Sequence, residues 1–418
     1  MVQQKIPCLP LASFQNRETE NHKTRYESLV SRLPPLESSC RQELHYVSSP
    51  GRTELGGNHT DHNNGCVLAA SVDLDMLAVA SPRSDYLISL ASEGYSPIRI
   101  DLRDTSFKIE ERGSPASIIR GLAAWLTHKG MQIGHGFDIA MDSRVPAGSG
   151  LSSSAAFELL IAAIFDDMGK YEMSPIDWAI AGQWAENEYF GKPCGLMDQI
   201  ACAEGGIVFI DFSEPGKPKI EKLTYDFASN GLILAIVNTG SNHEDLTIEY
   251  SDIPKEMKCV ADLFGRPAMR GIEKQDLLAK LSDIRIRCGD RALLRAWHFV
   301  HENSRPVQMV EALNRNDISA YLSIVNESGR SSWHYLQNIH TGNPHQQSLS
   351  IALMLSEDLL SPEGAWRVHG GGFAGSIQAY VPESRFPEFA ERMETVFGEG
   401  SVQHINIRPF GVCKVLMH

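Results

Sequence analysis

A glycine- and serine-rich segment, RVPAGSGLSSSAAFELL, runs directly into an apolar helix and is the strongest chemical signal in this chain. Glycines let the backbone approach a ligand closely, and the free N–H groups of a helix start favour a bound phosphate. Hydroxyls such as those of Ser153 and Ser154 can add donors to phosphate or a ligand to magnesium. A plain capped helix would also explain small polar residues before apolar ones. Neither the third glycine of a dinucleotide fingerprint nor the lysine of a Walker loop is present, so any phosphate loop here is of another kind.

A second segment, GRTELGGNHTDHNNG, places Arg52, Asn58, His59, Asp61 and His62 between glycines. Such a polar cluster on a glycine-rich loop suits hydrogen bonding to a polyhydroxylated ligand better than it suits a core. Two alternatives stay open, a solvated turn and a metal site made by the two histidines and the aspartate.

Two further segments carry weaker signals. In GKPCGLMDQIACAEGG, the lone carboxylate Asp198 lies in apolar surroundings after a helix that carries Glu186 and Glu188. A carboxylate there can accept a proton from a hydroxyl or hold the hydroxyl in line, or it can simply cap a helix. The segment WRVHGGGFAGSIQAYV is a glycine-rich turn into a strand, either a tight hairpin or a ligand contact.

Length and composition limit the class of protein. A chain of 418 residues is expected to form two domains, residues 1–225 and 226–418, with a ligand cleft between them. The formal charge of -14 disfavours broad contact with nucleic acid or with an anionic membrane. Because the sequence shows no signal peptide or long apolar span, we expect a cytoplasmic protein, a monomer or weak homo-oligomer. The eight cysteines have no zinc-like spacing and are interpreted as reduced thiols.

The pattern of apolar residues predicts an α+β architecture with two lobes. Helices are predicted at SIIRGLAAWLTHKG with Gly130 as the C-cap, from near Ser152 through AAFELLIAAIF, at PIDWAIAGQWAENEYF, and over most of 283–355. CVLAASVDLDMLAVAS is interpreted as a pair of strands, and IVFID, LILAIVN, SIQAYV and HINIRPFGV as further strands.

Taken in order, the four segments resemble those of galactokinases in the GHMP kinase superfamily. They are similar to the signature GRxNLIGEHTDY, the phosphate loop GLSSSA, the loop PCGxMDQ and the motif GGGFGG, and the resemblance extends from about Tyr26 to the last residue. The resemblance implies a two-lobed fold, with a mixed sheet and helices in each lobe and the active site in the cleft between them. It also implies transfer of the γ-phosphoryl group of ATP to a galactose-type sugar, with Mg²⁺.

Carried over by position, the resemblance implies roles for individual residues. Asp198 would be the catalytic carboxylate near the sugar C1 hydroxyl, and Arg52 would stabilise charge between that hydroxyl and the γ-phosphate. The residues implied for the sugar are Asn58, His59, Asp61, Gly195 and Tyr250. Those implied for the nucleotide phosphates are Gly148, Ser149, Gly150, Ser152, Ser153 and Ser154, and those for magnesium are Ser154 and Glu186.

The chain departs from the family pattern at several positions. Glu54, Gly56, Asn58 and His62 stand where the family has Asn, Ile, Glu or Asp, and Tyr, while Ala374 replaces a glycine and Ser376 a cysteine. An amide at position 58 keeps an acceptor, removes a negative charge and adds a donor, so we predict relaxed or redirected recognition at the C6 end of the sugar. Three functions therefore compete with a galactose kinase. They are a kinase for a C6 variant such as galacturonate, a kinase for a non-sugar alcohol such as mevalonate or homoserine, and a non-catalytic sugar and ATP sensor.

Overall fold

The computed structural model of the protein describes residues 7–14, 16–34, 44–146, 148–214, 216–240, 247–340, 342–373 and 375–417. Ala374 of the glycine-rich turn, Cys40 and the first six residues of the chain lie outside these ranges.

Thirteen strands are found in the described part of the chain. Their bounds are β1 Cys8–Pro10, β2 His45–Gly56, β3 Cys66–Pro82, β4 Leu87–Ser92, β5 Ile98–Asp101, β6 Phe137–Ser143, β7 Ile207–Asp211, β8 Lys219–Leu223, β9 Leu232–Asn238, β10 Ala365–His369, β11 Ser376–Pro382, β12 Val402–Ile405 and β13 Cys413–Leu416. Nine of them form one mixed sheet in the order β1-β13-β2-β3-β6-β4-β5, with β7 paired to β3 and β8 paired to β7. The other four form a sheet in the order β10-β11-β9-β12.

Thirteen α-helices accompany these strands in the same residue ranges. Their bounds are α1 Asn16–Arg32, α2 Pro115–His128, α3 Ser153–Gly169, α4 Pro175–Ala185, α5 Met197–Glu204, α6 Thr247–Leu263, α7 Lys274–Ala279, α8 Leu281–Arg287, α9 Asp290–Glu302, α10 Arg305–Asn314, α11 Ile318–Ser331, α12 Ser348–Leu360 and α13 Phe386–Phe397. Mixed strand directions with packed helices confirm the predicted α+β class. The three helices predicted in the first half are present, and Gly130 follows α2 with φ +78°.

The prediction of paired strands at CVLAASVDLDMLAVAS is wrong, because this segment is the single 17-residue strand β3. The strand pairs with β2 along most of its length, with β7 near its start and with β6 near its end. Asp75 in the middle of this strand is buried and is bound by Arg25 at 2.7 Å and Arg408 at 3.1 Å. These two distant cations let the carboxylate stay inside a continuous strand, since a buried charge needs paired partners.

The prediction of one strand over HINIRPFGV is also wrong. Strand β12 ends at Ile405, and β13 begins only at Cys413 and pairs with β2 and β1 of the first sheet. Pro409 lies between them and cannot donate a backbone hydrogen bond. Among the described residues the two sheets otherwise divide near residue 225, and β13 is the strand of the second half that joins the first sheet.

The prediction that the cysteines are reduced thiols fails for one pair. Cys259 on α6 and Cys288, which follows α8, form a disulfide with a Cα–Cα distance of 5.8 Å. Helix packing brings together residues separated by 29 positions, which the sequence spacing does not reveal. Free thiols are found at Cys8, Cys66, Cys194, Cys202 and Cys413.

Within the described ranges, no helix is both long and apolar enough to cross a membrane.

Candidate functional site

A pocket opens where the second motif, the loop before α5, helix α6 and the turn after β10 meet. It is lined by residues of the ranges 52–62, 186–198 and 370–371 and by Tyr250. Polar and charged side chains dominate this lining, which suits a small polyhydroxylated ligand. Three of the four sequence motifs therefore contribute residues to one pocket. The fourth motif, the phosphate loop, contacts Arg52, which lines this pocket.

Arg52 and Asp198 form the centre of the site. The Arg52 guanidinium donates from Nε to Asp198 Oδ1 at 2.7 Å and from Nη2 to Asp198 Oδ2 at 2.6 Å. Its Nη1 donates to the carbonyl of Gly150 in the phosphate loop, and its backbone N–H donates to the carbonyl of Leu151 at 3.0 Å. Such a two-point ion pair fixes orientation as well as charge. The predicted catalytic pair is thus brought together, 146 residues apart in sequence.

The carboxylate of Asp198 is held in its ionised form. Burial alone would raise the pKa of Asp198, but the charge and hydrogen bonds of Arg52 and a hydrogen bond from Ser152 outweigh burial and lower it. Ser152, predicted as a nucleotide ligand, donates its hydroxyl to Asp198 Oδ2. A ligand phosphate would therefore meet the backbone of Ser152 rather than a free hydroxyl.

Several residues of the phosphate loop adopt left-handed backbone conformations. Gly148 and Gly150 have φ +73° and +76°, and Ser152 has φ +54° just before α3 begins. Ser149 is buried and donates its hydroxyl to the carbonyl of Pro146 at 2.8 Å, so this side chain supports the loop. The N–H groups of the first turn of α3 lack an earlier turn as partner, which makes them available to an anion.

Replacing Gly150 by Ala is expected to destabilise the protein more than replacing Gly148. Both positions have positive φ, which costs an L-residue about 1–2 kcal/mol. A Cβ at Gly148 meets open space, whereas one at Gly150 lies 2.8 Å from His369 Nδ1 and 2.9 Å from Ser376 Oγ. Crowding in a packed region adds roughly 1–3 kcal/mol. Urea unfolding of the two variants measures the difference, and equal losses would contradict the inferred contact between loop and second lobe.

A cluster of buried carboxylates lies beside the phosphate loop. Gln199 Nε2 donates to Glu186 Oε2 at 3.2 Å and to Glu158 Oε2 at 2.9 Å. Glu186 Oε1 is buried and receives no hydrogen bond from the described residues, and Lys192 Nζ lies 3.6 Å away from it. Ser154 is half-buried on the first turn of α3. An orphaned carboxylate oxygen and a serine hydroxyl are oxygen ligands of the kind Mg²⁺ prefers, so these residues fit the predicted metal.

Asn58 borders the pocket, but its side-chain amide is fully used by the protein. Nδ2 donates to Glu54 Oε1 at 3.1 Å and to the carbonyl of Gly370 at 2.8 Å. Oδ1 accepts from Ser332 Oγ at 3.2 Å and from Asn338 Nδ2 at 3.0 Å. An amide has two donors and an acceptor with two lone pairs, so none is left for a ligand. This geometry argues against the expected direct role of Asn58 in sugar recognition.

The backbone of the same loop is held by Glu302 from α9. Glu302 Oε1 accepts from the N–H groups of Gly57 at 3.1 Å and Asn58 at 3.2 Å and from Ser328 Oγ at 2.7 Å. Burial alone would raise the pKa of Glu302, but the charges of Arg305, His298 and Arg367 and the hydrogen bond from Ser328 lower it to about 2. An ionised carboxylate of the second lobe thus fixes the signature loop of the first.

The other residues that were predicted to bind the sugar form one wall of the pocket. His59 bonds through Nε2 to the carbonyl of Gly371 at 3.0 Å, and its ring lies 5.2 Å from that of Tyr250. Burial and His62 lower the pKa of His59 to about 3, so its ring is neutral. Gly195 packs so closely on Asp61 that a Cβ would lie 1.8 Å from Asp61 Oδ2. The loop before α5 therefore needs glycine here to leave this carboxylate in place.

The alternative of a metal at the two histidines gains no support from this geometry. His59 Nε2 and His62 Nε2 have protein partners, the latter being Tyr250 Oη at 3.3 Å. Across the residues that the structure describes, no three His, Cys, Asp or Glu side chains are grouped to hold a metal ion.

Sequence reasoning missed two charged residues of the pocket, Lys192 and Glu54. Lys192 is the one cation of GKPCGLMDQ, and its closeness to Asp198 in sequence was an available signal. For Glu54, the one indication in the sequence was that it stands where the family pattern has Asn. Its buried partner is Arg367 of β10, with Nη2 at 2.5 Å from Glu54 Oε1 and 313 residues away in sequence.

Two protein-family sequence models match this chain. The model described as GHMP kinases N terminal domain matches residues 117–206, which include the phosphate loop and Asp198. The model described as galactokinase galactose-binding signature matches residues 37–82, which include Arg52.

Whole proteins and solved structures agree with these matches. A galactokinase of Glaesserella parasuis serovar 5 is 29% identical over 370 residues, which are 84% of this chain and 91% of that protein. The crystal structure of Lactococcus lactis galactokinase complexed with galactose has a TM-score of 0.78 at 22% identity and covers 94% of this chain and 98% of that chain. Methanococcus jannaschii mevalonate kinase has a TM-score of 0.62 at 15% identity, with 88% and 99% covered. The predicted two-lobed fold is thereby confirmed.

Proposed function

Because this chain belongs to the galactokinase family of the GHMP kinases, we propose that it transfers the γ-phosphoryl group of ATP to the C1 hydroxyl of galactose. The observation that carries the proposal is the two-point ion pair between Arg52 and Asp198, which borders a polar pocket. Arg52 also donates a hydrogen bond to the carbonyl of Gly150 in the phosphate loop. A hydroxyl placed beside this carboxylate would lie next to the loop that suits a phosphate.

In the proposed reaction, the C1 oxygen attacks the γ-phosphorus while the bond to the β,γ-bridging oxygen breaks and ADP leaves. Asp198 orients the hydroxyl and takes its proton as the new bond forms, since the lowered pKa of Asp198 makes it a weak base for an unreacted hydroxyl. Arg52 stabilises charge between the attacking oxygen and the phosphoryl group. Positioning and charge neutralisation supply most of the catalysis in such transfers.

The nucleotide phosphates are proposed to bind the backbone of 148–154 and the hydroxyls of Ser153 and Ser154. Ser154 and the orphaned oxygen of Glu186 would hold Mg²⁺, which neutralises charge on the phosphates when bound. Gln199 keeps the other Glu186 oxygen occupied, so a single oxygen is presented.

The pocket favours a neutral sugar over the competing substrates. Glu54, Asp61 and Asp198 all border it, and a uronate carboxylate would meet these like charges. The polar wall formed by His59, Asp61 and Tyr250 would be left unpaired by an alcohol with few hydroxyls, which is costly in a buried site.

Purified protein with ATP and Mg²⁺ is expected to release ADP with galactose and to form a sugar 1-phosphate visible by ³¹P NMR. Galacturonate, arabinose, N-acetylgalactosamine, mevalonate and homoserine form the comparison panel. ADP release with mevalonate or homoserine and none with a hexose would overturn the sugar assignment. Tight binding of galactose and ATP without any ADP would instead favour a sensor.

A further inference from the structure

Glu54 borders the sugar pocket from the same side of β2 as Arg52. The two residues are two positions apart on a strand, so their side chains share one face, and both line the pocket. Glu54 is only 3% exposed. It is therefore placed where a buried carboxylate must either be neutralised within the protein or meet a ligand.

The two oxygens of Glu54 have different surroundings. Oε1 accepts from Arg367 Nη2 at 2.5 Å and from Asn58 Nδ2 at 3.1 Å. Among the described residues, none donates a hydrogen bond to Oε2. The carboxylate is thus anchored by one oxygen and retains acceptor capacity on the other, at the edge of the pocket.

Asn58 shows the opposite arrangement, because the protein occupies both its donors and its acceptor. Compared with the family signature, carboxylate and amide have exchanged positions 54 and 58, and here they contact each other directly. The motif therefore still contains one carboxylate and one amide. Among the described residues, the oxygen without a hydrogen-bond donor is Glu54 Oε2, on the carboxylate at position 54.

We infer that Glu54 is a specificity-determining residue that accepts a hydrogen bond from one hydroxyl of the sugar through Oε2, with Asn58 and Arg367 as its positioning residues. This inference rests on the proposed function. It gives a role to Glu54, a residue to which the resemblance assigned none. A hydroxyl donates well to a carboxylate, whereas a carboxylate on the substrate is repelled, so the selected substrate class is a neutral hexose.

The test is Glu54→Gln, assayed with galactose and with galactose analogues that each lack one hydroxyl other than that at C1. Losing a hydrogen bond to a charged group is expected to raise KM for galactose about 10- to 100-fold, with KM for ATP unchanged. The penalty for removing one particular hydroxyl should shrink in the variant, and the preference for galactose over galacturonate should fall. Glu221→Gln, an exposed carboxylate on β8, is the control and should match the wild type.

A uniform loss across all analogues would show a purely structural role and overturn the inference. Glu54→Gln also leaves the buried Arg367 without its carboxylate, so a second variant guards against misfolding. In Glu54→Asn/Asn58→Glu, the new carboxylate stays near Arg367, because Arg367 and Asn58 both donate to the same oxygen. This double variant should recover a preference for the same hydroxyl that Glu54→Gln loses, and recovery for a different hydroxyl would also overturn the inference.

Calorimetric titration with the same sugars separates this inference from the proposed function. If the wild type binds galactose without turnover and Glu54→Gln weakens binding through one hydroxyl, the kinase proposal fails and the inference stands. If turnover occurs but Glu54→Gln binds and discriminates like the wild type, the inference fails alone. Absence of galactose binding to the wild type would refute both.

Discussion

Asp198→Ala is expected to lower kcat for galactose by about 10³- to 10⁴-fold, because one carboxylate both orients the hydroxyl and accepts its proton. Steady-state ADP release measures this loss. KM for ATP should change little, since the contacts of Asp198 with the described part of the phosphate loop run through Ser152 and Arg52. Turnover near the wild-type rate would show that Asp198 is not the catalytic carboxylate.

The control for this prediction lies in the surface turn between β3 and β4. Asp85 accepts a similar fork from Arg83, at 2.7 and 2.8 Å, and does not line the pocket. Asp85→Asn should therefore leave kcat unchanged. Asp198→Asn preserves side-chain shape but cannot take the proton, so its kcat should fall nearly as far as that of Asp198→Ala. Thermal unfolding with and without ATP checks that each variant is folded, since the buried Arg52 loses its counter-ion in both Asp198 variants.

Arg52→Lys is expected to lower kcat by about 10²- to 10³-fold, the usual cost of removing one preorganised donor from a developing charge. Lysine keeps the positive charge but cannot form the two-point contact with Asp198 or the third bond to Gly150. The pKa of Asp198 should rise in this variant, because Arg52 is the main cause of its lowered value. The acidic limb of the pH profile of kcat/KM should therefore move to higher pH.

Arg83→Lys is the matched control for Arg52→Lys, since it breaks a forked Arg–Asp pair that does not line the pocket. It should alter neither kcat nor the pH profile. The double variant Arg52→Lys/Asp198→Ala should be little worse than Asp198→Ala, because groups that act as a unit are not additive. A fully additive loss would contradict the inferred cooperation of the pair.

Local signals in the sequence were sufficient for several elements of the fold. Helices α2 and α3 have apolar residues at helical spacing, and Gly148 and Gly150 have the positive φ that a tight phosphate loop requires. These features depend on residues within one or two turns of each other. The order of the four motifs likewise indicates the family, because each motif consists of contiguous residues.

Elements that depend on distant partners were not predicted correctly. Strand β3 continues through Asp75, whose buried charge is paired with Arg25 and Arg408 from distant parts of the chain. The return of β13 to the first sheet and the bond between Cys259 and Cys288 also depend on packing across the chain.

The candidate site also has features that the sequence alone indicated and features that depend on the tertiary structure. Sequence alone identified Arg52 and Asp198 as chemically competent residues, since their types and motifs are visible without a fold. The tertiary structure decided that they form a two-point ion pair, that the Asn58 amide is fully hydrogen-bonded, and that Glu54 Oε2 accepts no hydrogen bond from the described residues beside the pocket. Hydrogen-bond capacity depends on which groups meet in space, and Arg367, 313 residues from Glu54, meets it only when the two lobes pack together.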